Sequence, residues 1–159
     1  MDGVDEFLKF HHWANARLLD CCSTLDDAAL DAEMPGTFGT IRGTLTHIFA
    51  TQNEFLGAVV GAPPASLFNG MPFPGFEALR EVAETTDALF LTAAEQRDPA
   101  EMLKADWKGQ TIEFSIMVPL VQVVNHGVEH RTEIQGMLSR LGIQPLRLDA
   151  WVWGGVVPG

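Results

Sequence analysis

His126 and His130 stand four residues apart in the stretch 119–141. If that stretch is helical, 100° of turn per residue leaves the two side chains only about 40° apart, stacked on one face. One cation can then touch both rings. Neutral imidazole is the commonest nitrogen donor to Zn, Ni, Cu or Fe, and helical interiors build such sites from residues on facing helices. On spacing alone the pair is weak evidence for metal, and two rings that cap or hydrogen-bond within an interior are the more common case, so a metal reading needs a third ligand from elsewhere. The chain has five histidines. His47 is the best third candidate, because its side of the surrounding stretch carries Gly43, Thr44, Ala50 and Thr51. Such small residues let a neighbouring helix come close and leave room for a ligand. His11 and His12 are adjacent, so on a helix they point about 100° apart and do not easily share an ion. They are expected at the surface or an interface.

Three neutral ligands leave a divalent ion most of its charge and an open position, as in catalytic rather than structural sites. Such an ion lowers the pKa of water or a thiol to about 7, which makes thiol transfer and hydrolysis accessible. Glu133 falls about 20° from His126 on the same face, and Glu129 about 60° away. Glu133 is therefore the candidate catalytic group, as a proton shuttle, a fourth ligand or the acceptor of an imidazole N–H. Its competing reading is a solvated residue paired with Arg131 or Arg140. Arg131 and Asn125 flank the ligands, with pairing to acids the expected role of the arginine against binding of a substrate carboxylate. Cys21 and Cys22 read as small apolar fillers, since no basic neighbour in the sequence favours a thiolate.

These residues need elements to hold them. Helix one is read over about Val4 to Leu25, with Phe7, Leu8, Trp13, Leu18, Leu19 and Cys22 near a 3.6-residue period and Asp2 and Asp5 at its start. Met34–Thr40 is a Pro/Gly loop whose Thr40 is placed to cap helix two, Ile41 to about Val60. The segment 61–75, dense in proline and glycine with Asn69, makes a connection longer than most loops. Its Phe68, Met71 and Phe73 are candidates to wall an apolar pocket. Helix three follows over about Phe76 to Ala94, burying Leu79, Val82, Ala83, Thr86, Leu89 and Phe90. Lys108-Gly109 suits the turn of a short β-hairpin over 102–107 and 110–116. Pro119 suits the first position of helix four, which ends at Gly142, and 148–153 forms one further turn. The sum is an all-α fold, a four-helix bundle with one long crossover loop and a small hairpin before the last helix. The tryptophans, Trp13, Trp107, Trp151 and Trp153, are expected in the core or at a dimer contact.

A chain of 159 residues with 47% hydrophobic content is one domain's worth, read as residues 1–159. Its net charge of -11 repels phosphate backbones and anionic lipid, so a small molecule or a protein is the expected partner, not nucleic acid. The acid is concentrated in 1–33 and 76–106, the segments of helices one and three. An acidic N-terminus, no apolar run near the ~18 residues of a membrane span, and only two adjacent cysteines fit the cytoplasm.

The stretch Asn125-His126-Gly127-Val128-Glu129-His130-Arg131, continued by Glu133 to Gly142, resembles the C-terminal signature of the DinB/YfiT-like family. So do His12 to Leu19, Gly39 to Ile48, and Gln144-Pro145 to Asp149, in order along the chain. The resemblance implies a four-helix bundle, frequently homodimeric, that holds a divalent metal through three histidines. Carried over, the ligands are His47, His126 and His130. The ion is expected to be Zn or Ni first, Mn or Fe after them. Relatives of known activity look like transferases and isomerases that use a low-molecular-weight thiol, namely bacillithiol, mycothiol or glutathione. The expected function is thus a thiol-dependent transferase or hydrolase acting on a small molecule; the alternative is a non-catalytic metal-binding sensor or stress-associated binding protein. Two departures stand out: Glu129 and Glu133 beside the last ligand, and Gln52 where relatives carry an acid.

Overall fold

The computed structural model describes residues 3–62, 67–68 and 70–158, and the backbone alone at Trp107. Asp2 at the helix start, Pro63, Pro64 and Asn69 of the long connection, and the Trp107 side chain lie outside the described residues. The elements run α1 (Val4–Cys22), α2 (Asp27–Leu30), α3 (Ile41–Val60), α4 (Phe76–Gln96), β1 (Met102–Trp107), β2 (Gln110–Ser115), α5 (Met117–Arg140) and α6 (Ala150–Trp153). The protein is mostly helical, with one two-stranded antiparallel sheet among the described residues. No helix among them is long and apolar enough to cross a membrane.

Local chemistry sets the element ends. The Thr40 hydroxyl accepts from the Gly43 N–H at 3.0 Å and starts α3. Asp149 accepts from the N–H groups of Trp151 and Val152 and starts α6. At the end of α5, Ile143 N–H bonds Leu138 C=O and Gly142 N–H bonds Ser139 C=O, a Schellman closure that requires Gly142 at φ 75°. Lys108 and Gly109 both take positive φ and join the strands in the register Trp107↔Gln110.

Three boundaries differ from the sequence reading. Helix one stops at Cys22, and Asp26 caps the separate turn α2 through its bond from Ala29 N–H. The second strand ends at Ser115, which leaves Ile116 fully buried at the start of α5. That helix begins at Met117, so Pro119 is its third residue; the missing N–H still falls among the four that have no partner at a helix start.

Each of the four long helices packs on two others, α1 on α4 and α5, and α3 on α4 and α5. Their buried residues sort into two apolar clusters. One gathers Leu18, Leu19, Ile41, Leu45, Phe49, Leu79, Ile134 and Leu138; the other gathers Leu8, Leu56, Val59, Phe90, Leu120 and Val123. Along every long helix a buried polar or glycine position separates the two sets: His11 and Asn15 on α1, Gln52 on α3, Thr86 and Asp87 on α4, Gly127 and Arg131 on α5. The interior therefore has a polar layer across its middle.

That layer corrects several expectations. His11 is 1% exposed, not a surface residue. On α1 the inward stripe includes His11, Ala14 and Asn15, while Phe7 is exposed and Trp13 only partly buried. On α4 Asp87 is buried and Leu89 is exposed. A period search weighted to apolar residues passes over polar groups that bury by bonding one another. Trp151 is exposed, whereas Trp153 meets Phe10 edge-on at 6.0 Å.

Candidate metal centre

His47 lies on α3 and His126 and His130 on α5, two helices that pack together. The three rings converge: their centroids are 4.4 Å apart for His126–His130, 4.7 Å for His47–His130 and 5.0 Å for His47–His126. One ligand nitrogen from each lies within 4.8 Å of the others, so the cluster could hold a metal ion. The Nε2 atoms of His47 and His126 are 3.2 Å apart. Two ligands of a tetrahedral ion bound at about 2.0–2.1 Å are separated by about 3.3 Å, so this pair already has the spacing of a chelate.

Bonds on the far side of two rings choose which nitrogen faces inward. His130 Nδ1–H donates to Glu133 Oε2 at 2.8 Å, and His47 Nδ1 contacts the Thr51 hydroxyl at 3.3 Å. The bond to Glu133 leaves the Nε2 lone pair of His130 free, and His47 can present its own when Nδ1–H donates to Thr51. Burial, then the neighbouring His130 and His47, push His126 down to about 4. Burial and His130 also lower His47. Both rings are therefore neutral near pH 7, as ligands must be.

Glu133, the candidate catalytic group, thus stands as an acceptor for a ligand ring. The same Oε2 also accepts the Phe38 N–H at 3.3 Å. Phe38, absent from the sequence reading as a site residue, lies flat on His47 with ring centroids 3.8 Å apart. Nothing in its loop position announced that contact, which depends on how the chain between α2 and α3 folds back.

Arg131 points away from the cluster, into the polar layer, where it is 4% exposed. It donates to Asn15 Oδ1 at 2.6 Å, not to a carboxylate. Its Nη1 also lies 3.4 Å from His11 Nδ1. His11 Nε2 in turn lies 3.0 Å from Gln52 Oε1 and 2.9 Å from Asn15 Nδ2. Gln52, standing where an acid was expected by resemblance, donates onward to Thr86 Oγ1 at 2.6 Å and Asp87 Oδ1 at 2.8 Å. His12 Nδ1–H closes the chain on Asp87 Oδ2 at 2.7 Å. Gly127 makes room for it: a Cβ there would sit 2.6 Å from Arg131 Nη1 and collide with His11. Burial, and then Arg131, push His11 down to about 4, so the layer carries a neutral ring there.

The bond to Asp87 raises His12 above the ordinary histidine value. A raised folded-state pKa adds stability that is fully present below the unfolded value, about 6.5, and is lost as pH climbs through the folded one. Wild type should therefore exceed His12→Gln in Tm at pH 6, and the gap should shrink by pH 9. Thermal melts of both proteins across that range check it, and a gap independent of pH would show that the pair carries no charge.

Other expected contributors stand apart from the cluster. Cys22 is buried, with its thiol pushed up to about 12, and burial also raises Cys21, so neither is a ready thiolate. Phe68 and Phe73 pack on the first apolar cluster, while Met71 is exposed. A recess of about 180 Å³ is lined by Asn53, Leu67, Glu81, Val82, Thr85 and Thr86, none of them from the histidine cluster. Asn125 and Glu129 are exposed beside the ligands.

Comparison with known proteins bears on the family and the fold. The sequence model of the DinB family matches residues 1–153. A DinB-like protein from Bacillus cereus, known from a crystal structure, superposes with a TM-score of 0.67 over 92% of this chain and 96% of its own, at 15% identity. Among curated proteins, none matches the sequence significantly.

Proposed function

The chain belongs to the DinB family, and from that membership, together with the three converging rings, we propose that it is a divalent-metal-dependent enzyme acting on a small molecule. The observation that carries this reading is the 3.2 Å approach of His47 and His126 Nε2 with His130 beside them. We read His47, His126 and His130 as the ligands of Zn or Ni, or of Mn or Fe, in a four-helix bundle. An ion held by three neutral rings keeps an open position and brings the pKa of a bound water or thiol to about 7. That supports a thiol-dependent transferase or a hydrolase; the thiol cofactor and a cytoplasmic homodimer belong to the same proposal.

The chain's own residues then have separable tasks. Thr51 and Glu133 orient the His47 and His130 rings. Burial keeps His47 and His126 unprotonated at neutral pH. Glu133, whose Oε2 is bonded to both His130 and Phe38, acts on the ion through His130 as a positioning residue. Glu133→Ala should weaken Zn binding about 10–100-fold, measured by competition against a chromogenic chelator. Unchanged affinity would remove the positioning role. For the enzyme reading, metal analysis of protein purified without a histidine tag, followed by assays with bacillithiol, mycothiol, glutathione and water, is the test. Absence of turnover in every metal form would end it.

A further inference from the structure

Resting on the reading of the three histidines as ligands, we propose that Phe38 and Phe55 form an apolar recognition wall flanking the three rings, which selects small molecules bearing an apolar group next to their metal-binding atom. Phe38 lies parallel to His47, with planes 12° apart, and turns its edge to His130 at 5.7 Å. Phe55, two turns after His47 on α3, meets His126 edge-on at 5.5 Å. Two phenylalanines from different segments thus flank the same three rings.

They differ in what they leave free. Phe55 packs into the second apolar cluster, whereas Phe38 belongs to neither cluster and is 54% exposed. A half-exposed ring is ordinarily free to change rotamer. Phe38 is anchored at two points, its ring by stacking on His47 and its N–H by Glu133, the carboxylate that also orients His130. Its exposed surface is therefore fixed relative to the ligand rings before anything binds, which spares an incoming molecule the entropy of ordering it. The polar groups behind the rings are already engaged, Glu133 with His130 and Thr51 with His47. Beyond the ion, the surface offered by these two residues is aromatic and rewards apolar contact.

The test loads the protein with Co(II), whose visible spectrum reports ligand exchange, and titrates acetohydroxamate and benzohydroxamate, one chelating group carrying methyl or phenyl. Wild type should bind the phenyl compound about tenfold more tightly, and Phe38→Ala should reduce that preference to about twofold. Phe38→Ala keeps the backbone N–H to Glu133, and both proteins are compared at full Co(II) loading, so that a change in metal affinity does not enter the ratio of the two probes. Equal binding of the two probes by wild type, or a preference that survives in Phe38→Ala, would overturn the wall and leave the metal reading standing. Wild type that takes up no Co(II) would overturn both.

Discussion

His130→Ala is expected to abolish most of the stabilisation that a divalent ion confers while leaving the metal-free fold nearly intact. The ring is one of three ligands in the proposed site, so its loss should exceed the about 10–100-fold that loss of a ligand's hydrogen-bond partner costs. For wild type at an ion concentration of about 1,000 times Kd, binding adds about 4 kcal/mol to stability. A 100-fold weaker variant retains about 1.4 kcal/mol at the same concentration, a difference of about 2.6 kcal/mol. For a chain of this size that is roughly 5–10 °C of metal-induced rise in Tm. The quantity to compare is that rise, with and without Zn, because it cancels whatever the substitution does to packing. An equal rise in wild type and variant would place the ion elsewhere or nowhere.

Asp87→Ala should do the reverse, with a large loss of stability that metal does not account for. Asp87 is buried and accepts from both His12 and Gln52. Its charge also opposes the buried Arg131, whose guanidinium burial pulls down to about 10 while Asp87 pulls it up. Removing the carboxylate takes away the acceptor of His12 and one of the two acceptors of Gln52, together with a charge that favours the buried Arg131, a loss of about 3 kcal/mol. That corresponds to a fall in Tm of about 6–12 °C. Asp87→Asn, which keeps an acceptor for Gln52, should lose less. Melts of the two variants at pH 7 in the presence of a chelator check the order; a fall below about 2 °C for Asp87→Ala would mean that the layer relaxes without it.

The contrast between these variants reflects what was legible in the sequence. The three ligand candidates were, because two lie at a helical four-residue spacing and the third sits among small residues on a helix with a readable Thr40 cap. The four long helices and the hairpin were legible for the same reason: capping residues, glycine stops and period are local signals. The polar layer was not. His11, Asn15, Gln52 and Asp87 come from three helices, and each is buried only because the others supply its bonds. A single helix viewed alone shows a polar residue and assigns it to solvent. Phe38 was hidden for a related reason, since its stacking on His47 depends on the path of a loop and on Glu133, 95 residues away.

The most direct test of the central claim is a crystal of the Zn-loaded protein, with diffraction recorded on both sides of the Zn absorption edge. One strong anomalous peak per chain is expected, about 2.0–2.1 Å from the Nε2 atoms of His47, His126 and His130. A peak at other residues, or fully loaded crystals with no peak among these rings, would contradict it.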